Sequence, residues 1–309
     1  MSGQALSLAT KEIKERVRSQ FGLNEQSMKE AVQILRDWLD LQPHLPPQEP
    51  DDERLERWII RCKNSLEKAK KSIDLYFTVK SMTPELMCNW DTKSQWFKTA
   101  TSTCYAYPLP ELNENDERII FFGLQNNDAA QYNVDHLFKL TLMSHEVRMC
   151  EEYCTSDIYV MDLSNFTLSH VPKVSLPDLR KYEVCVMGGF SVRLKAMYIV
   201  NAPPHAEALI GMIKLIVKSK IASRIHVYGK DLTSFYDQIP RKVIPLELGG
   251  EAGTIAENMD RWKQKLESYH NWFLEHEHLK SDEKKRPSGA IASSDLFGFE
   301  GSFRKLTVD

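Results

Sequence analysis

The chain has no apolar run approaching the roughly 18 residues that a bilayer-spanning helix needs, so no transmembrane helix is expected. It also lacks a cysteine framework. Its six cysteines, at 62, 88, 104, 150, 154 and 185, include one close pair, Cys150 and Cys154, and no CxxC motif. That spacing argues against a zinc site and fits reduced thiols in a cytosolic protein. The first residues, "MSGQALSLATKEIKERVRSQ", hold no signal-peptide apolar core and are charged almost at once, which predicts a cytoplasmic protein. Net charge is only −3, which excludes a polycation that seeks nucleic acid.

Catalytic signatures are missing as well. "GFSVR" approaches the G-x-S-x-G elbow but carries Arg193 where the last glycine belongs. "YGKD" at 228 has neither the upstream glycine nor the Ser/Thr of a phosphate-binding loop, and "SHEVRM" at 144 is not H-E-x-x-H. In "HNWFLEHEH", His276 and His278 fall about 200° apart on a helix and cannot converge on one ion. No enzyme activity, metal or cofactor is therefore expected, apart from a bound apolar lipid as ligand.

What is present is ordinary for a folded protein: 309 residues, 42% hydrophobic and 27% charged, enough for two domains. Residues 1–94 read as an N-terminal helical domain. "NEQSMKEAVQILRDWLDLQ" repeats its apolar residues at helical spacing, "DDERLERWIIRCKN" opens with acids, and a third helix begins at "SLEKAKK". From 95 to 255 short strand-like runs ("TCYAY", "RIIFFG", "DIYVMDL", "KAMYIVN", "RIHVYG") alternate with helical stretches. That alternation predicts an α/β domain with a mostly parallel sheet. Residues 256–280 read as one closing amphipathic helix, and 281–309 as a Gly/Ser-rich, poorly structured tail.

Two features suggest a surface and a cargo. Between Arg193 and Lys242 there are nine Lys/Arg against three acids, and between Arg54 and Lys71 seven against two, so one side of a near-neutral protein is expected to face anions. Within "EALIGMIKLIVKSKIASRIH", the residues Glu207, Gly211, Lys214 and Lys218 recur at i, i+4, i+7 and i+11. On a helix they form one narrow polar stripe, and the rest of the circumference faces something apolar.

"YIVNAPP" at 198, "KSKIASRIHVYG" at 218 and "IPLELGG" at 244 resemble the CRAL-TRIO lipid-binding family. "RWIIRCKNSLEKAKKSIDLYF" is similar to the helical unit that precedes that domain. "DLSNFTLSH" at 162 resembles its D-x-x-G-x-x-x-x-H segment, with Asn165 where glycine is usual. The tail "LFGFEGSFRKLTVD" is similar to that of arthropod tocopherol-transfer-like members. The resemblance runs over almost the whole chain. It implies a soluble carrier, with a hydrophobic pocket between an α/β floor and a mobile gate helix at about 203–218.

The resemblance also implies site residues. "VDHLFKLTLMSHEVRM" as a helix places Phe138, Thr141, Leu142, His145 and Met149 on one face. Of these, Phe138, Thr141 and His145 match the family's pocket positions, as do Met161, Cys185, Phe190 and Val192. The gate would contribute Leu209, Met212, Ile213 and Ile216. For His145 the residues alone leave two readings open, a ligand contact or a core histidine bonded to protein. Basic positions beside the gate bind phosphoinositide headgroups in the tocopherol branch, and they match Lys195, Lys220 and Arg224, with Arg193 a near neighbour. The family's R-F-L-R-A-R contact reads Arg57 to Cys62 here. Its last arginine is Cys62, flanked by Arg61 and Lys63. Val192 stands where phosphatidylinositol exchangers carry a glutamate, which favours a compact apolar ligand over a phospholipid.

The expectation is a monomeric cytoplasmic carrier of a tocopherol-, retinoid- or carotenoid-like ligand, bound transiently to phosphoinositide-containing membranes and to no nucleic acid. The alternatives are a lipid-sensing adaptor that recruits a partner through Phe297, Phe299 and Phe303, a phospholipid exchanger, and a hydrolase-like enzyme.

Overall fold

The structure, a computed structural model, describes residues 5–7, 9–47 and 49–298. Phe299 and Phe303 of the tail lie outside them. The N-terminal helices are α1 (Lys11–Ser19), α2 (Glu25–Leu39), α3 (Asp52–Arg61), α4 (Leu66–Met82), the single turn α5 (Pro84–Met87) and α6 (Gln95–Thr103). Their starts are chemically marked. Asn24 and Ser27 form a reciprocal cap on α2, and the Asp51 carboxylate accepts from the Arg54 amide at 2.8 Å to open α3. Each arrangement satisfies an orphan backbone donor.

Five strands follow: β1 (Cys104–Pro108), β2 (Glu117–Leu124), β3 (Ser156–Asp162), β4 (Leu194–Val200) and β5 (Ile225–Val227). They form one sheet in sequence order, β1 antiparallel to β2 and the other pairs parallel. Helix α7 (Val134–Glu151) joins β2 to β3. Helix α8 (Leu176–Glu183), running into a π-turn at Val184–Gly189, joins β3 to β4. Helices α9 (Glu207–Ile216) and α10 (Ser219–Ala222) join β4 to β5. After α11 (Thr233–Tyr236) come α12 (Ile255–Ser268), α13 (His270–His276) and α14 (Ser293–Phe297).

The expected single closing helix is two. It breaks at Tyr269, whose hydroxyl donates to Glu151 of α7 at 2.7 Å and whose ring packs on Trp272. The described part of the tail, 281–298, is also more ordered than its composition suggested. Arg286 is buried and makes a two-pronged contact with Asp74 of α4, at 2.7 and 2.8 Å, and a third with Glu283.

The helical unit and the α/β domain share one core. The π-turn is the seam. Its carbonyls at Gly188 and Gly189 accept from Ser72 of α4, and the Gly189 carbonyl also accepts from the Trp58 indole of α3. Behind it lie buried ion pairs. Arg54 of α3 meets Glu146 of α7 at 2.5 Å, Arg148 meets Asp157 at 2.5 Å, and Glu152 is shared between Arg118 and Arg148. A buried carboxylate with two guanidinium partners stays ionised because the pairing offsets its desolvation.

Candidate ligand cavity and basic surface

One cavity of about 100 Å³ lies between the sheet and the helices on one of its faces. Parallel register builds its floor. Phe122 pairs with Met161, Tyr159 with Met197, and Met197 with Ile225, so these side chains stand on one face of neighbouring strands. At the start of β4, Asp157 pairs with Leu194 but Ile158 pairs with Ala196. That extra residue is a bulge, and it lets Leu194 and Met197, three apart, both line the cavity. The walls are Leu137, Phe138 and Thr141 of α7, Leu179, Tyr182 and Glu183 of α8, and Val186 and Met187 of the π-turn. Ile213 and Ile216 of α9, Val217, and Ile221 of α10 form the roof.

The roof is thinly attached. Of the ten residues of α9 only Leu209 and Ile213 are buried, no side chain caps its N-terminus, and α10 buries none. Leu215 is 68% exposed. An element held by so few buried contacts sits at the low-stability end of a structure.

Toward β1 the cavity abuts a space of about 10 Å³, bordered by Thr141, Ser144, His145, Arg148, Tyr159 and Tyr182. This is its polar end. His145 is buried, and both ring nitrogens have protein partners, Tyr159 Oη at 2.9 Å and Arg148 Nη1 at 3.4 Å. Burial first, then the cations Arg148 and Arg61, push its pKa well below the usual histidine range. It is a neutral core histidine that borders this inner space, not the apolar cavity. Of the two readings left open by the sequence, the structure favours the second.

Beside the roof a second feature assembles from distant segments. Lys63 follows α3 in the left-handed conformation (φ 56°) and is exposed. Its pKa is drawn below the usual lysine value by Arg193 first, with burial, Lys220, Arg224 and Lys68 adding to it. Several cations that together depress the pKa of one lysine mark a concentrated positive potential, which an anion relieves. Arg193 is half-buried over the Phe21 ring at 4.7 Å, and its Nη1 has no hydrogen-bond partner among the described residues.

Of the twelve pocket positions expected from sequence, Phe138, Thr141, Met161, Ile213 and Ile216 line the cavity. The others do not. Leu142 is fully buried on α7, a helix buried on nearly every side with charged residues such as Glu146 and Arg148 among its apolar ones, so periodicity could not select the face that meets the cavity. Cys185, Phe190 and Val192 are packed in the core around the π-turn. The Cys185 thiol lies 3.6 Å from the Thr83 hydroxyl, and the Phe190 ring lies against Tyr76. Leu209 is buried and Met212 half-buried against the core, neither bordering the cavity. Helix α9 ends at Ile216, so Lys218 begins the next turn and does not extend the polar stripe.

Among the expected basic residues, Lys63, Arg193, Lys220 and Arg224 gather. Arg61 is buried, its guanidinium donating to the Phe190 carbonyl at 3.0 Å. Lys195 is exposed but lies 3.6 Å from Glu117. Sequence reasoning missed Tyr159, Tyr182, Met197 and Ile225. The alternation of "DIYVMDL" and "KAMYIVN" was a signal for Tyr159 and Met197, but it leaves open which face meets the helices. Among the described residues no group of His, Cys, Asp and Glu could hold a metal, and no helix is long and apolar enough to cross a membrane.

Comparison with known proteins fits this geometry. A family model described as CRAL/TRIO domain matches residues 103–250, and one described as Pinta-like, UBA domain matches residues 24–97. Clavesin-2 of Rattus norvegicus is 23% identical over 238 residues, 76% of this chain and 73% of the relative. An alpha-tocopherol transfer protein-like protein of Homo sapiens is 25% identical over 227 residues, 72% of this chain and 66% of the relative. Clavesin-1 of Xenopus laevis is 23% identical over 238 residues, 76% and 72%.

Proposed function

Because the chain belongs to the CRAL-TRIO family, we propose that it is a non-enzymatic carrier of one small hydrophobic ligand, tocopherol-, retinoid- or carotenoid-like, which it transfers to membranes. The observation that carries this reading is an apolar cavity closed by a roof with only two buried residues. Ligand pockets run to roughly 300–1,000 Å³, against about 100 Å³ here. Taking in such a molecule therefore requires α9 and α10 to move away from the sheet. The same motion bares Ile213, Ile216 and Ile221, which a bilayer can receive.

The basic cluster supports a membrane-facing role for that side. Lys63, Lys220 and Arg224 dock the roof on an anionic surface, and phosphoinositides promote release there. The chain shuttles between cytoplasm and membrane as a monomer in this reading. The name of one relative, alpha-tocopherol transfer protein-like, is consistent with it.

The test uses the full chain. Tocopherols, retinoids, carotenoids and sterols are titrated, and transfer of the bound one to vesicles is followed with and without phosphoinositide. One saturable ligand per chain, a raised melting temperature on binding and faster transfer to phosphoinositide vesicles are expected. No saturable binding across the panel sinks the carrier reading, and so does turnover of a bound ester.

A further inference from the structure

At the polar end of the cavity one hydroxyl proton has no acceptor among the described residues. Tyr159 Oη has a single hydrogen-bond partner among the described residues, His145 Nε2 at 2.9 Å. The other nitrogen of that ring decides which of the two donates. His145 Nδ1 lies 3.4 Å from Arg148 Nη1, and a guanidinium can only donate. Nδ1 must be the bare nitrogen, so in a neutral ring the proton sits on Nε2. The ring is neutral because it is buried beside two cations, as described above.

Arg148 cannot turn away to release this arrangement. Its Nη2 donates to Asp157 Oδ1 at 2.5 Å, its Nη1 to Asp157 Oδ2 at 3.1 Å, and its Nε to Glu152. The chain of donors therefore runs one way, from Arg148 through His145 to the Tyr159 oxygen. The phenolic O–H is left to donate elsewhere. Tyr159 borders both the inner polar space and the apolar cavity.

We infer that Tyr159 is the specificity-determining residue of the cavity. Its hydroxyl donates a hydrogen bond to an acceptor oxygen on the ligand, so the cavity favours apolar molecules ending in a carbonyl or similar oxygen over hydrocarbons of the same shape. His145 is a positioning residue that fixes the direction of that bond. The inference rests on the carrier reading and names the chemical class of its cargo.

The experiment compares a polyene aldehyde with the hydrocarbon lacking only its oxygen, each titrated into the full-length wild type and Tyr159→Phe. A net hydrogen bond corresponds to about a two- to twelvefold change in affinity. Tyr159→Phe should weaken the aldehyde by about that factor and leave the hydrocarbon nearly unchanged. The infrared carbonyl stretch of the bound aldehyde should lie below its value in alkane for the wild type and return toward it in the variant.

Equal weakening of both ligands, or of neither, overturns the inference and leaves the carrier reading standing. An unshifted carbonyl in the wild type overturns it as well, without relying on a variant that folds. If wild type binds neither ligand, this inference falls, and the carrier reading is decided by the wider panel.

Discussion

Glu146 stands on α7 with its carboxylate 2.5 Å from Arg54 Nη2 and 2.8 Å from the Tyr76 hydroxyl, all three side chains buried. Removing one partner of such a pair leaves the other charge in a medium that solvates it poorly. Glu146→Ala should cost about 3–5 kcal/mol of unfolding free energy, read from urea denaturation, and a loss under 1 kcal/mol would mean that water reaches Arg54. No sequence pattern pointed to this pair, because its members lie 92 residues apart. His145 shows the same limit at the cavity. Helical spacing put it on one face with Phe138 and Thr141, but its hydrogen-bond partner Tyr159 arrives from a strand.

Elements tied to the body through a few polar contacts should respond when one of them is lost. The segment after α13 is fastened where Arg286 meets Asp74 and Glu283. The hydrogen bond from Arg286 holds the Glu283 carboxyl down at about 2, against 4.5 ordinarily. A depressed carboxylate stabilises the fold fully above its unfolded pKa, and that contribution disappears as pH falls toward the folded value. Between pH 4.5 and 2, amides of 281–291 should therefore gain hydrogen exchange ahead of the sheet. Exchange in both regions rising together would remove the anchor from this account. For the roof, Ile213→Asp places a carboxylate against the cavity. It should lower ligand affinity at least tenfold, measured by titration, with the sheet intact by circular dichroism. Unchanged affinity would mean that α9 does not cover the ligand.

At the scale of the molecule, charge from both halves converges beside the roof. Lys63 comes from the helical unit, and Arg193, Lys220 and Arg224 from the α/β domain. A Lys or Arg near an anionic membrane contributes about 1 kcal/mol. Lys63→Ala with Lys220→Ala should weaken binding to phosphoinositide vesicles by on the order of thirtyfold and leave the ligand's affinity unchanged. Lys195→Ala should cost less, since Glu117 already faces that lysine. Rising salt should weaken wild-type binding, because exposed charges are screened beyond about 8 Å at physiological ionic strength. Vesicle affinity that ignores both charge and salt would reduce the cluster to a solvated face.

The sequence by itself determined the order of elements, the strand-rich α/β half and the apolar circumference of α9. Spacing and capping residues act over a few positions and are written locally. It also placed Lys220 and Arg224 beside the roof helix, being only a few residues beyond it. Tertiary structure alone decided which face of α7 meets the cavity, that Cys185 and Phe190 serve the π-turn seam, and that Arg61 is a buried donor while Lys63 reaches solvent. A helix buried on nearly every side, with charged and apolar residues interleaved, gives periodicity nothing to choose between. A buried cation is recognisable only once its acceptor has been brought to it, and the acceptor of Arg61 is a carbonyl 129 residues away.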